Sequence, residues 1–313
     1  VIEEIITSGR MNHEIDPQLH IWGWEIPLYL FLGGLVAGIL ILSGVFYILG
    51  REERYPFTIK ILPIVTPLLL SIGLFALFLD LSHKLYFWRL YTIIRWNSPM
   101  SWGAWTLMAI FPLSILWSVT WLEDLKPQWF NNYKWLHSSL DLLRKYRQKL
   151  AMIMVFFSLI LGMYTGILLS AFNARPFWNT AILGPLFLVS GLSGAAALVV
   201  LFSKETREKK IFGRIDLLLI TIEIFLLIHL FMGFLSGTQV HIEAAKMFLG
   251  GPYTTFFWVF IMGFGLVFPG ILEFMELRKF KVPTAIPAIL VLIGGLLLRI
   301  IIVDAGQASR WLY

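Results

Sequence analysis

Read as apolar and polar positions, the chain is a series of long hydrophobic runs separated by short polar segments. A helix crosses the ~30 Å hydrocarbon core of a bilayer with about 20 residues. Eight runs reach that length, at 22–49, 59–82, 100–122, 149–171, 179–203, 214–237, 251–273 and 283–304. A membrane β-barrel would show short alternating segments instead, and a lone helix satisfies its own backbone hydrogen bonds in lipid. The pattern predicts an all-α integral membrane bundle of eight transmembrane helices. It is read as two consecutive four-helix bundles, 1–145 and 146–313.

Within the runs, Pro63, Pro67, Pro112, Pro185, Pro269 and Pro287 predict kinks, tolerated where neighbours take up the freed carbonyls. Gly34 and Gly38 in the first run, and Gly191, Gly194 and Ala195 to Ala197 in the fifth, predict close helix contacts. Two connections read as surface helices: LHSSLDLLRKY, within the long segment 123–148, and VHIEAAKMFLGG at 240–251.

Composition fixes the environment. The chain is 58% hydrophobic and only 14% charged, against roughly 25% charged in soluble domains. Cysteine is absent, which excludes disulfides, thiolate-held iron–sulfur clusters and cysteine zinc sites in this chain. The net charge of +6 reads as basic membrane loops, since no nucleic-acid motif accompanies it. Eight spans place both termini on one side. Of 25 basic residues, eight fall there (Arg10, Lys84, Arg89, Arg95, Arg175, Lys246, Arg299 and Arg310) and seventeen on the other side. The positive-inside rule makes the terminal side periplasmic, in a cytoplasmic (inner) membrane. The chain begins at Val1, so its first residues are expected to be missing or trimmed. No cleavable signal pattern precedes the first span.

An ionisable side chain in hydrocarbon costs ~2.5–3.5 kcal/mol on insertion scales, and as a rule it lines a pathway or pairs internally. The first span brings Glu25 and Tyr29, the second ends at Asp80 and His83, and the fourth holds Tyr164. The sixth carries Asp216, Glu223 and His229, and the eighth Arg299, Asp304 and Gln307. Helix direction alternates, yet all but Asp216 and Glu223 fall in the outer third. Taken singly, each has a plain reading: a belt tyrosine, a helix-end pair, Arg299 snorkelling or neutralising Asp304. Taken together, five helices supplying one zone point to a site. Glu223 lies nine residues beyond Arg214, ~14 Å along the helix. Asp216, seven residues earlier, shares its face. The pair predicts a proton path from the cytoplasmic side; the alternative is a carboxyl hydrogen-bonded between helices for packing.

A quinone suits such a zone. It lives in the bilayer, its carbonyl oxygens accept hydrogen bonds, and its reduction takes up protons along with electrons. Tyr29, Tyr164, Asp80 and His83 supply donors and protonatable groups, and Trp102, Trp105 and Phe31 supply aromatic walls. Haem ligation needs two facing histidines, and among His13, His20, His83, His137, His229 and His241 only His83 with His229 qualifies, poorly. Electrons must then pass to or from a partner on the outer face. The alternatives are a haem-b cytochrome anchor and a proton-coupled transporter, the latter requiring an internal repeat with broken helices at the midplane.

Several stretches resemble one family. DLSHKLYFW followed by NSPMSWGAW, at 80–105, is similar to the turn closing the second span and opening the third in the NrfD/PsrC family, the membrane subunits of polysulfide reductase-type complexes. WGWEIPLYLFLGGLVAG at 22–38, NARPFWN at 173–179 and GGLLLRIIIVDAGQ at 294–307 resemble its first span, its fourth-to-fifth loop and its last span. The resemblance implies a haem-free quinone-reactive (menaquinone or ubiquinone) anchor subunit of a respiratory oxidoreductase. Its electrons would be exchanged with a ferredoxin-like four-cluster iron–sulfur subunit, itself carrying a molybdopterin or hydrogenase catalytic subunit. Tyr29, Tyr164 and Asp80 match family positions beside the quinone. Tyrosine replaces the histidine of some members at 29, and SHK replaces GRP after Asp80. The expected roles are proton exchange at Asp80 and His83, and quinone binding by Glu25, Tyr29, Tyr164, Trp102 and Trp105. Proton conduction falls to Asp216, Glu223, His229, Arg299 and Asp304, and no metal is expected.

Overall fold

The computed structural model describes residues 22–125, 141–280 and 282–310, and among them there is no strand. Eight helices are long and apolar enough to cross a membrane. They are α1 (Glu25–Ile48), α2 (Phe57–Asp80), α3 (Pro99–Leu125), α4 (Arg147–Ser170), α5 (Leu183–Phe202), α6 (Thr206–Leu235), α7 (Phe256–Leu277) and α8 (Ala285–Ala308). All eight expected spans are present, in a multi-pass membrane protein. The largest boundary difference is in α6, which begins at Thr206 rather than near 214. TREKKIFG is too charged to register as a span, but its long basic side chains can reach past the membrane edge while the backbone stays helical.

Helix α1 is buried along most of its length and packs on α2, α4, α5 and α8. Helix α3 closes against α2 and α4, α5 packs on α4, α6 and α8, and α7 packs on α8 and α6. A division at residue 145 leaves α4 in the second half, although α4 packs on α1 and α3 as well as on α5. The α1–α5 contact is made by the expected glycines. A methyl group at Gly38 would overlap the Gly191 carbonyl, and one at Gly191 would overlap that of Gly34. Replacing Gly38 with valine is expected to cost about 1–3 kcal/mol through overpacking, read as reduced thermal stability of the detergent-solubilised protein. Undiminished stability would show that the two backbones do not meet there.

The prolines act unequally. Helix α2 opens with a π turn (Phe57–Ile61) and a 3-10 turn (Leu62–Val65) before becoming α-helical at Thr66. Pro67 has no N–H to offer the Pro63 carbonyl. That oxygen instead accepts the Thr66 hydroxyl at 2.7 Å and the Ser118 hydroxyl of α3 at 2.9 Å. Glu208 of α6 accepts the Phe57 and Thr58 amides at 3.1 and 3.4 Å, a carboxylate at a helix start where exposed N–H groups favour it. Helix α7 is π-helical over Phe256–Val267 and reverts to α-helix just before Pro269. Pro185 and Pro287 lie in the first turns of α5 and α8. The missing N–H is unpaired there anyway, so the sequence-based expectation of kinks at these two does not hold.

Both described chain ends lie on one face, called the terminal face below. The Gln307 side chain accepts the Trp22 amide at 2.8 Å and donates to the Trp22 carbonyl at 3.0 Å. Arg175, in NARPFWN, donates to the Gln307 and Ser309 carbonyls at 2.8 Å each, closing the end of α8. The expected 240–251 surface helix forms as Gln239–Lys246. Most of the 123–148 segment lies outside the described residues.

Candidate functional site at the terminal face

Beyond α2 the backbone makes a 3-10 turn, Lys84–Tyr86, and a short helix, Arg89–Thr92, which packs on α3. Beneath this segment lies a cavity of about 90 Å³. Tyr29 reaches it from α1, Asp80 from the last turn of α2, Tyr91 from the short helix and Tyr164 from α4, with Ile26, Leu77, Leu107 and Leu168 among its apolar walls. Glycines of α2 and α3 lie beside the two rings, and the second makes room for one. Gly73 of α2 faces Tyr29, whose ring carbon lies 3.7 Å from where a Cβ would stand. Gly103, in SPMSWGAW, lies directly under Tyr164, and any Cβ there would overlap the phenol ring.

Tyr29 and Tyr164 are 2% and 7% exposed, and both line the cavity. A phenol lining a cavity offers its O–H to whatever occupies it. Burial pushes the Tyr91 phenol above its ordinary pKa, which keeps it a neutral donor. Asp80 is half-buried and within electrostatic reach of Glu25.

The other expected residues are distributed differently. Glu25 does not line the cavity. His83 is exposed and faces a separate, more open cavity of about 440 Å³ together with Arg89 and Arg95. Trp102 and Trp105 pack edge-on against Trp96, at centroid distances of 5.7 and 5.3 Å, and the Trp102 indole donates to the Trp96 carbonyl at 2.9 Å. They are not cavity walls. Positions 103 and 107 turn that face of α3 inward, which directs 102 and 105 elsewhere. Phe31 packs by Gly295 and Arg299 instead. Sequence reasoning missed Tyr91, because in the aromatic-dense stretch 86–96 it looks like one more belt residue.

A second polar cluster fills the space between α5, α6, α7 and α8. Asp216 and Glu223 are both buried on one face of α6. Asp216 accepts the Ser193 hydroxyl at 2.5 Å. Arg299 is 1% exposed and turns inward across α5, donating to the Ser190 hydroxyl at 2.5 Å and the Phe187 carbonyl at 3.1 Å. It neither snorkels nor pairs with Asp304. Glu223 approaches Ser190 and feels the Arg299 charge. Glu273 of α7, which the sequence reading passed over, is 3% exposed and approaches Asp216. Asp216 and Glu273 are close enough to share a proton in a carboxyl–carboxylate hydrogen bond, and beyond that contact neither Glu273 oxygen nor Asp216 Oδ2 has a partner among the described residues. Glu273 also borders a cavity of about 160 Å³ on the face opposite the termini, with Lys209, Lys210, Arg214 and Lys279 around it.

His229 and Asp304 stand apart from this cluster. His229 is exposed, its Nδ1 3.0 Å from the Phe225 carbonyl of its own helix. Six residues past Glu223, it is rotated to the far side of α6. Asp304 accepts the Tyr253 hydroxyl at 3.0 Å near the terminal face. His83 and His229 therefore occupy separate exposed surfaces, not the facing positions that axial haem ligation needs. Among the described residues no group of three metal-binding side chains occurs.

The profile of the family described as "Polysulphide reductase, NrfD" matches residues 12–309. The chain belongs to the NrfD family. It is similar to NrfD of Escherichia coli, 30% identical over 309 residues, with 92% of this chain and 96% of that protein covered. It is equally similar to the C subunit of polysulfide reductase from Wolinella succinogenes, 30% identical over 302 residues with 92% and 94% covered. An NrfD homolog of Haemophilus influenzae is 25% identical over 305 residues, with 92% and 95% covered. The matched NrfD span runs from before α1 to just past α8, so it takes in every residue of both polar clusters.

Proposed function

We propose that the protein is the quinone-reactive membrane subunit of a respiratory redox complex. One observation carries this reading: three tyrosines and a carboxyl from separate elements converge in an otherwise apolar cavity at one end of the bundle. The family supports it, since a relative is a subunit of polysulfide reductase. Quinol oxidation releases two electrons and two protons, and quinone reduction takes them up. Tyr29, Tyr91 and Tyr164 donate hydrogen bonds to the headgroup oxygens. Asp80, at the boundary of the buried cavity, exchanges a proton with each turnover and passes it toward the terminal face. This chain has no cysteine to hold a cluster. The electrons therefore pass to or from an iron–sulfur partner docked on the terminal face, with a catalytic subunit beyond it. Basic-residue asymmetry supports a periplasmic terminal face in the cytoplasmic membrane.

Binding is tested by titrating the purified protein with a hydroxyquinoline quinone analogue and following tryptophan fluorescence. Saturable quenching is expected, weakened roughly 10-fold or more when Tyr29 and Tyr164 both become phenylalanine, through two lost hydrogen bonds. Absence of saturable binding would overturn the reading.

The buried carboxyl pair of Glu273 and Asp216, with Glu273 bordering the cavity on the opposite face, favours a second element, a proton route. Protons would enter from the opposite face at Glu273 and pass through Asp216 and Ser193 toward Glu223, Ser190 and Arg299. His229 has no place in this route, and Asp304 does not adjoin it. In proteoliposomes containing the full complex and reducing quinone, Glu273→Gln is expected to abolish proton uptake from that face and to slow quinone reduction with it. Undiminished uptake would remove Glu273 from the route.

A further inference from the structure

Three spaces meet at the terminal end of α2. The inner cavity holds Tyr29, Asp80, Tyr91 and Tyr164. The open cavity holds His83, Arg89 and Arg95. A third, of about 260 Å³, is a groove along α2 walled by Leu74, Phe75, Phe78 and Phe87. Leu81 and Leu90 border all three spaces. Leu77 and Tyr91 are shared by the groove and the inner cavity.

The groove's chemistry differs from that of its neighbours. Every residue lining it is hydrocarbon or aromatic except the Tyr91 hydroxyl. It lies on the side of α2 where Leu68, Ile72 and Phe75 are exposed, at 63%, 43% and 61%. In a spanning helix such a face meets lipid. The inner cavity alone is smaller than the ~300–1,000 Å³ of small-molecule sites, and with the groove it reaches that range. A ligand filling both would have a polar head at the tyrosines and a long apolar extension lying in the groove.

We propose that the groove between α2 and the Arg89–Thr92 helix is a lateral portal that takes the isoprenoid tail of the quinone, with Leu81 and Leu90 as its threshold. The proposal rests on the quinone reading and adds the route and the residues that select a tailed substrate. The headgroup passes from lipid between these two leucines into the inner cavity. The tail stays behind against Leu74, Phe75 and Phe78, and neither charge nor buried backbone has to be crossed.

The test compares menadiol, which has no tail, with a menaquinol carrying an isoprenoid tail, as donors to the intact complex in membranes. Leu74 lines the groove but not the inner cavity, so Leu74→Trp fills only the tail path. The ratio of KM for the tailed quinol to KM for menadiol is expected to rise roughly 10-fold, a ratio independent of how much complex assembles. An unchanged ratio overturns the portal, including the case in which a phospholipid acyl group occupies the groove. Wild-type complex that oxidises neither quinol ends the quinone reading and the portal with it. A second measurement needs no variant. A tailed quinone bearing a photoreactive group on its tail is expected to label Leu74, Phe75 or Phe78 in the wild-type complex. Labelling confined to other helices overturns the portal.

Discussion

Asp80→Asn is expected to lower quinone-linked turnover roughly 100-fold or more while leaving the complex assembled. Asparagine keeps the volume and the hydrogen-bonding capacity of the aspartate but cannot accept a proton. Asp80 is the one carboxyl lining the inner cavity among the described residues, so no other side chain there replaces it as a base. Glu25 lies within electrostatic reach without lining the cavity. It is the natural source of residual activity, and adding Glu25→Gln is expected to remove what remains. Assembly should survive because Asp80 closes the exposed end of α2 and makes no side-chain hydrogen bond among the described residues. Asp80→Glu, one methylene longer, is expected to recover part of the rate. The measurement is quinol oxidation by membranes containing the partner subunits, with co-purification of those subunits as the assembly control. Normal turnover in Asp80→Asn would remove this carboxyl from the mechanism.

The eight spans were legible because hydropathy depends on composition over a window, and the bilayer imposes one length on all of them. The ends were less legible: α6 runs on through TREKK, where charge rises but the helix does not stop. The site was legible in part for a related reason. Position along a span gives depth, so Tyr29, Asp80 and Tyr164 could be placed at one level. Direction around a helix depends on its neighbours, which a single sequence does not supply. Trp102 and Trp105 have the right depth and the wrong direction, since Gly103 and Leu107 present the inward face. His229 fails for the same reason, on the outward side of the helix that buries Glu223. Glu273 failed on depth. It falls at the last position of its expected span, where a carboxylate ordinarily meets water, but α7 continues to Leu277 and keeps it buried beside Asp216.

Gly103 is the position where a small change reaches furthest. The Tyr164 ring lies against the α3 backbone in the space a side chain at 103 would take, and a Cβ there would overlap ring carbon and hydroxyl alike. Tyr164 is 7% exposed, so the ring has little room to retreat except into the cavity it lines. Gly103→Ala is therefore expected to push Tyr164 toward the quinone position and lower turnover roughly 10-fold, while overpacking costs about 1–3 kcal/mol of stability. A helix-interior alanine is otherwise better than glycine by roughly 0.5–1 kcal/mol, so a loss would run against propensity and point to the contact. The decisive comparison is a cycle of stability measurements with Tyr164→Ala. If the ring is what the methyl meets, Gly103→Ala should be neutral or stabilising once Tyr164 is alanine. Equal destabilisation in both backgrounds would show that Gly103 serves the helix packing of α3 and not the placement of Tyr164.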